Sequence, residues 1–364
     1  MIHPRLASAK RLLAVRLDNL GDVLLMTPAL RAMRRALPAA KLALWTSPVG
    51  AQVALFDPDI DEIIAREVAW VDPWRSLPEC SARERETIDL LRAGRFDAAV
   101  VFTSFRQSPL PAAYACYLAD IPIRIAATTD GAGSLLTTRH PPSGGLVHEV
   151  ERALDLVAAV GVPPADLDLV LDLPATAHLE GARLRESTGA AHAVVIHPGC
   201  TMPARTYPLA RFAQVAERLA EDGVAVFVTG GPTEVDLVAE LLAQVAPGPR
   251  ERCIGAAGLP FDLFCGLIAA ADAVVTNNTG PMHIAAALKT PVVALFALTN
   301  PPEQWGPWRV THRILNRDVP CRLCYSRVCP TAQECLAVEP DEVVYATLEV
   351  MREARALTAS EALA

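Results

Sequence analysis

Residues 12–46 read LLAVRLDNLGDVLLMTPALRAMRRALPAAKLALWT. Leu12–Leu17 is a short apolar run of strand length, while from Asp22 to Ala36 the apolar positions recur at helical spacing. Leu42–Thr46 is again strand-like, and a strand, a helix and a strand in that order form a parallel βα unit. The rhythm continues through Glu62–Ala65, a charged helix Ala82–Ala93, strand Ala98–Thr103, helix Pro111–Ala119, strand Ile123–Ala126 and helix Glu149–Val160.

Prolines 163, 164 and 174 then interrupt the pattern, which restarts at Ala193. The second series runs Ala193–His197, Ala225–Thr229, Arg252–Ile254, Ala273–Thr276 and Val292–Phe296 as strands, with helices between them. A last strand is expected at His312–Leu315 and a last helix from Asp341 to Ala356. This predicts an α/β protein with domains at 1–175 and 191–340, a linker at 176–190, and a C-terminal helix and tail at 341–364. Two doubly wound parallel sheets imply a cleft onto which the strand C-termini open, where ligands of such folds bind.

Composition agrees. A chain of 364 residues with 52% hydrophobic and only 5% aromatic residues, mean hydropathy +0.27, takes its apolar content from Ala, Leu and Val, as buried parallel strands require. The net charge of −8, with no Lys/Arg block, speaks against a general nucleic-acid binder. No apolar run reaches the ~18 residues of a membrane span, and Leu12–Val15 is too short for a signal-peptide core, so a cytoplasmic location is expected. Five of the nine cysteines, Cys80, Cys116, Cys200, Cys253 and Cys265, are scattered in apolar contexts and read as ordinary buried thiols.

The turn Asp18-Asn19-Leu20-Gly21-Asp22 places two carboxylates between the first strand and the first helix. Asp is a favoured N-cap, which accounts for Asp18 as well as chemistry would; Asp22, after a glycine that permits a tight turn opening on the cleft, reads as a residue with a chemical role. The first 41 residues carry eight basic side chains, Arg31, Arg34 and Arg35 among them, against two acidic ones, which suits an anionic partner or a solvated helix face. In the second domain, His197–Thr201 and Arg205 form a loop suited to phosphate, and Gly230–Glu234 occupies the next strand-to-helix junction. The string Thr276-Asn277-Asn278-Thr279-Gly280-Pro281-Met282-His283 runs from a buried strand into a helix start that would hold a diphosphate. No Walker loop or dinucleotide fingerprint is present.

These segments resemble glycosyltransferase family 9, the ADP-heptose:lipopolysaccharide heptosyltransferases. The carriers are RLDNLGDVLLMTPALRAMRRALP, VVIHPG with ARTYPLARFAQVAERL, VTGGPTE, TNNTGPMHIAAAL and CRLCYSRVCPTAQECL. The resemblance implies a GT-B fold of two Rossmann-like domains and a metal-independent transfer that inverts the anomeric centre. Asp22 would be the catalytic base, and Arg205 would contact the donor phosphates. Thr201, Glu234 (with Asp236 the alternative at that acidic position), Asn278, Thr279, Gly280, Pro281, Met282 and His283 would line the nucleotide-sugar site, with Leu259 beside the adenine. Asn278 stands where some relatives carry Asp. Asp18, Asn19, Arg31, Arg34 and Arg35 would face a phosphorylated glycolipid or glycan acceptor at the inner face of the membrane, where contact would be peripheral.

Cys321, Cys324, Cys329 and Cys335 form a spaced cluster that could hold zinc or an iron–sulfur centre, a structural disulfide, or free thiols. The metal reading is the weaker one, because the spacing fits no standard zinc pattern, and no cofactor is expected. Three alternatives stand beside the heptosyltransferase reading: a transferase for another nucleotide sugar, a nucleotide-sugar epimerase, and a non-catalytic nucleotide-sugar-binding protein.

Overall fold

The computed structural model describes residues 2–71, 77, 80–104, 106–142 and 144–361, so residues 362–364 of the expected tail lie outside it. The chain divides into two units, Met1–Asp172 and Leu173–Ala364. In the first, β1 (Arg11–Arg16), β2 (Lys41–Thr46), β3 (Glu62–Ala65), β4 (Ala98–Val101), β5 (Ile123–Ala127) and β6 (Thr138–His140) form one parallel sheet in the order β3-β2-β1-β4-β5-β6. In the second, β7 (Ala193–His197), β8 (Ala225–Gly230), β9 (Cys253–Ala257), β10 (Ala273–Asn277), β11 (Val292–Leu295) and β12 (His312–Leu315) repeat the topology as β12-β11-β10-β7-β8-β9. Both are doubly wound sheets of the Rossmann kind. The winding reverses between β1 and β4 and again between β7 and β10, and such a switch point leaves a crevice at the strand C-termini.

Central strands are covered on both faces, which is why their sequences are continuous apolar runs. In the first unit Leu13, Val15, Trp45, Phe96, Ala99 and Val101 share one core. The second unit packs Val194, Ile196, Tyr207, Phe212, Val226 and Val275 in the same way, and closes this core with Val343, Val350 and Met351 of the C-terminal helix Pro340–Glu361.

Helix α1 (Leu20–Ala36) begins where the sequence places it and runs through Pro28. Proline has no N–H for the carbonyl four residues back. The Thr27 hydroxyl donates to that carbonyl, Leu24 O, at 2.8 Å, and accepts the Val170 N–H at 2.9 Å. The N-terminal end of helix α2 (Glu149–Ala158) is capped by the His148 ring, which accepts the Val150 N–H at 3.2 Å.

One expectation is corrected: most of the stretch 176–190, read as a linker, lies in helix α3 (Ala175–Glu186), part of the second unit. It packs against helix α4 (Phe261–Ala270) through Gly181 and Gly266. A Cβ on Gly181 would lie 2.2 Å from the Gly266 carbonyl, and one on Gly266 would lie 2.0 Å from the Ala177 carbonyl. The weak apolar periodicity of α3 hid it, because close backbone contact rather than a broad apolar face joins the two helices. Gly266→Val is expected to cost about 1–3 kcal/mol or more by overpacking and to lower the melting temperature. Gly248→Ala, whose Cβ meets nothing within 4 Å, is the control expected to leave melting nearly unchanged.

Candidate functional site

At the first switch point Arg16, the last residue of β1, is buried with 3% of its surface exposed. A guanidinium is tolerated there only if it is paired. Its Nε lies 3.0 Å from Asp18 Oδ2, and its terminal nitrogen lies 2.9 Å from Asp22 Oδ1 and 3.9 Å from Glu149 Oε2. Burial disfavours its charge, but Asp18, Asp22 and Glu149 outweigh this and hold its pKa above the usual arginine value. The Ser104 hydroxyl accepts a hydrogen bond from Arg16 at 2.6 Å and lies 2.9 Å from Asp18 Oδ2 and 3.0 Å from Asp22 Oδ1.

Asp22 therefore stands on the first turn of α1 with both oxygens placed. Oδ1 faces Arg16 and Ser104, while Oδ2 accepts the Asn19 N–H at 3.2 Å. A cavity of about 20 Å³, large enough for a water molecule, lies beside Arg16, Glu149 and Arg152. Asp18, Asn19 and Asp22 are thus brought together as expected. Arg16, Ser104 and Glu149 were not singled out, since nothing in the local sequence links a serine after β4 or a helix start near residue 149 to the first turn.

The basic residues farther along α1 are placed differently from the expectation of a free cationic surface. Arg31 lies 2.9 Å from Asp166 and 3.5 Å from Asp59. Arg34 pairs with Asp61 and donates to the carbonyls of Asp59 and Ala40 at 2.8 and 2.7 Å. Both tie α1 to its own unit, an outcome invisible to a charge count because the partners come from β3's approach and the segment before Asp172. Arg35 is exposed.

The second switch point lies between β7 and β10. Asn277 at the end of β10 donates to Pro198 O at 2.8 Å and accepts the Tyr207 N–H at 2.9 Å, so one side chain holds both ends of the 198–207 loop. On that loop Thr201 is exposed, and Arg205 donates from Nε to the Thr299 hydroxyl at 2.9 Å. Thr299 in turn lies 3.2 Å from Asn300 Oδ1, which accepts from Asn278 Nδ2 at 3.0 Å. Asn278 is 5% exposed, and its Oδ1 has no hydrogen-bond partner among the described residues.

Thr279 precedes helix α5 (Gly280–Ala287), with Pro281 in its first turn and Met282 and His283 buried. Cys200 hydrogen-bonds the Thr279 side chain; burial pushes its thiol pKa up, and that bond opposes the shift. Leu259 follows β9 half-buried, next to the Gly230 loop through the Gly258 N–H···Gly230 O bond of 2.9 Å. Thr299 and Asn300 are further residues that sequence reading did not find.

Glu234 is engaged within the protein. Its Oε2 accepts the Gly231 N–H at 2.7 Å and lies 3.8 Å from His197 Nε2. His197 Nδ1 is 3.0 Å from the Thr229 hydroxyl. Burial lowers the His197 pKa to about 4, against a smaller opposing pull from Glu234.

The loop carrying Cys321, Cys324, Cys329 and Cys335 lies over the Arg205 loop. The Leu323 and Tyr325 N–H groups bond Leu298 O and Thr299 O, each at 2.8 Å, and Arg327 O accepts the Ala204 N–H at 2.9 Å. The four thiols are unbridged, and among the described residues no group of three or more His, Cys, Asp and Glu side chains is arranged to hold a metal ion. Among them, too, no helix is long and apolar enough to cross a membrane.

Two doubly wound units of this topology are those of the GT-B fold. The sequence profile of glycosyltransferase family 9 (heptosyltransferase) matches residues 85–334, and the chain belongs to that family. Lipopolysaccharide heptosyltransferase 2 of Escherichia coli is 36% identical over 100 residues, 27% of this chain and 29% of that protein. Lipopolysaccharide heptosyltransferase 1 of Pseudomonas aeruginosa is 28% identical over 339 residues, 89% of each chain. The solved structure of the E. coli ADP-heptose LPS heptosyltransferase II superposes with a TM-score of 0.75 at 21% identity, covering 94% of this chain and 99% of that one.

His197 yields a test of its environment. An imidazole whose folded pKa lies near 4 against an ordinary 6.5 stays neutral in the fold, while the unfolded chain takes up a proton as pH falls below 6.5. Its contribution to stability is present above about pH 6.5 and is lost progressively towards pH 4. The melting temperature should fall across that window, and His197→Asn, which keeps a polar atom for Thr229, should flatten the fall.

Proposed function

We propose that the protein is an inverting, metal-independent glycosyltransferase that moves a heptose or related sugar from an ADP-activated donor to a lipopolysaccharide-core or other surface-glycan acceptor. Family membership supports the transfer chemistry, and the names of the relatives support the sugar and the acceptor. The observation that carries the mechanism is the geometry of Asp22, a carboxylate held at 2.9–3.0 Å by Arg16 and Ser104 at a strand end, where a general base is needed.

In this reading Asp22 takes the proton of an acceptor hydroxyl as that oxygen attacks the anomeric carbon. The bond from the anomeric carbon to the diphosphate oxygen breaks on the opposite face, and ADP leaves with the electron pair. The growing charge on the diphosphate meets Arg205, Thr201 and the start of α5 at Thr279–Met282. Those groups supply the positive potential that a divalent cation would otherwise provide. Thr299 positions Arg205, and Leu259 borders the nucleobase. His283 and Asn278 lie at the sugar end. Asp18 and Asn19 shape the acceptor side, and the exposed Arg35 is the residue of the basic set best placed for an anionic acceptor at the inner membrane face.

Asp22→Asn is expected to lower kcat by about 10²–10⁴-fold with donor binding retained, measured by ADP release. Calorimetry against ADP-, UDP- and GDP-sugars should show preference for the ADP compounds, unchanged by EDTA and weakened at least tenfold in Arg205→Ala. Preference for another nucleotide would discard heptose while keeping the transfer chemistry. Full transfer by Asp22→Asn would remove the base.

A further inference from the structure

The cluster around Arg16 holds more negative than positive groups. Arg16 from β1 and Arg152 from α2 face Asp18 from the turn, Asp22 from α1 and Glu149 from α2, with Arg152 Nε 3.0 Å from Glu149 Oε1. The loop after β4 adds Ser104 and Gln107, whose side chain hydrogen-bonds Asp18. After β2, the Ser47 hydroxyl donates to the Asp18 carbonyl at 2.6 Å. His148, also buried, is occupied as the cap of α2. Among the described residues of the cluster these two cations stand against three carboxyls, one in excess, and a buried excess charge is costly. Ser104 sharpens the point: its single hydroxyl proton serves either Asp18 Oδ2 at 2.9 Å or Asp22 Oδ1 at 3.0 Å, never both.

We propose that Asp18 is the proton-holding partner of Asp22: the odd proton of the cluster rests on Asp18, and the chain Asp18–Ser104–Asp22 leaves Asp22 as the ionised carboxylate. Asp18 is then a positioning residue that acts through Ser104 and Arg16. It donates to Ser104, Ser104 donates to Asp22, and both guanidinium charges are balanced by Asp22 and Glu149. Glu149 is the most enclosed of the three, 1% exposed, but its Oε1 lies 3.0 Å from the Arg152 guanidinium, which holds it ionised; of the two carboxyls that share Ser104 the assignment goes to Asp18, whose side chain is 7% exposed against 13% for Asp22. Burial, the largest influence, raises the Asp18 pKa; Arg16 opposes this and Asp22 adds to it. Two carboxyls sharing one small site cannot both ionise freely. The proposal rests on the reading of Asp22 as base, and it adds a protonation state and a residue to it.

The test is a titration of aspartate side-chain carboxyl carbons by NMR on the full chain without substrate, with Asp18→Asn and Asp22→Asn assigning the two resonances. Asp57, which burial pushes up to about 7, is assigned separately with Asp57→Asn. The Asp18 carboxyl should titrate well above its ordinary value of 3.8. In Asp22→Asn, where the neighbouring negative charge is gone, the same resonance should titrate at lower pH. Asp18 titrating in the ordinary range, or unmoved by Asp22→Asn, would overturn the proposal. If Asp18→Asn fails to fold, the Asp22→Asn shift still decides. Loss of transfer in Asp22→Asn together with an ordinary Asp18 titration keeps the base and discards the pair. Transfer retained in Asp22→Asn with a coupled Asp18 titration discards the base and keeps the pair.

Discussion

The central strands of both sheets are covered on both faces, so a polar side chain with chemistry to perform can stand only where those strands stop. That constraint orders the molecule. Arg16 is the last residue of β1, His197 the last of β7 and Asn277 the last of β10, and each opens a turn into a loop or helix at a switch point. The repeated topology gives each unit one such crevice, and the side chains that fill them are of opposite character: carboxylates gathered on an arginine in one, an arginine with hydroxyls, amides and a helix start in the other.

Each crevice is organised by one buried polar residue whose partners come from several elements. Arg16 draws Asp18, Asp22, Glu149 and Ser104 into one cluster, and without it Asp18 and Asp22 would lose the guanidinium that pairs with them in a place with little water. Asn277 performs the corresponding task without charge, spending its amide N–H and carbonyl on the two ends of the 198–207 loop. Arg205 is then set by Thr299, and the cysteine-bearing loop bonds the backbone on both sides of that contact. The cysteines thus sit in a segment whose visible contribution is through its main chain, braced against the loops at the second switch point.

The alternation of strand and helix was legible because parallel βα units impose it on the order of apolar runs. The turn from Asp18 to Asp22 and the string from Thr276 to His283 were legible because Gly, Pro and short polar residues are needed where a strand gives way to a helix. Helix α3 was not, since its contact with α4 depends on Gly181 meeting Gly266, a matter of backbone approach that leaves almost no periodic trace. The pairing of Arg31 and Arg34 was not legible for a related reason: counting charge along one helix says nothing of Asp59, Asp61 and Asp166, which lie against these arginines from elsewhere in the chain.

The sequence by itself determined two parallel-sheet domains, the places where their strands end, and which of those ends carry carboxylate, arginine and hydroxyl side chains. These properties follow from local order and from family motifs, and both survive in a linear string. Only the tertiary structure decided what each group faces. Ser104 reaches Asp22 across 82 residues of chain and Arg16 across 88, and Glu149 arrives from a helix beyond β6. The balance of charge in a buried cluster is a sum over such distant partners, so it exists only once the sheet has brought their strand ends together.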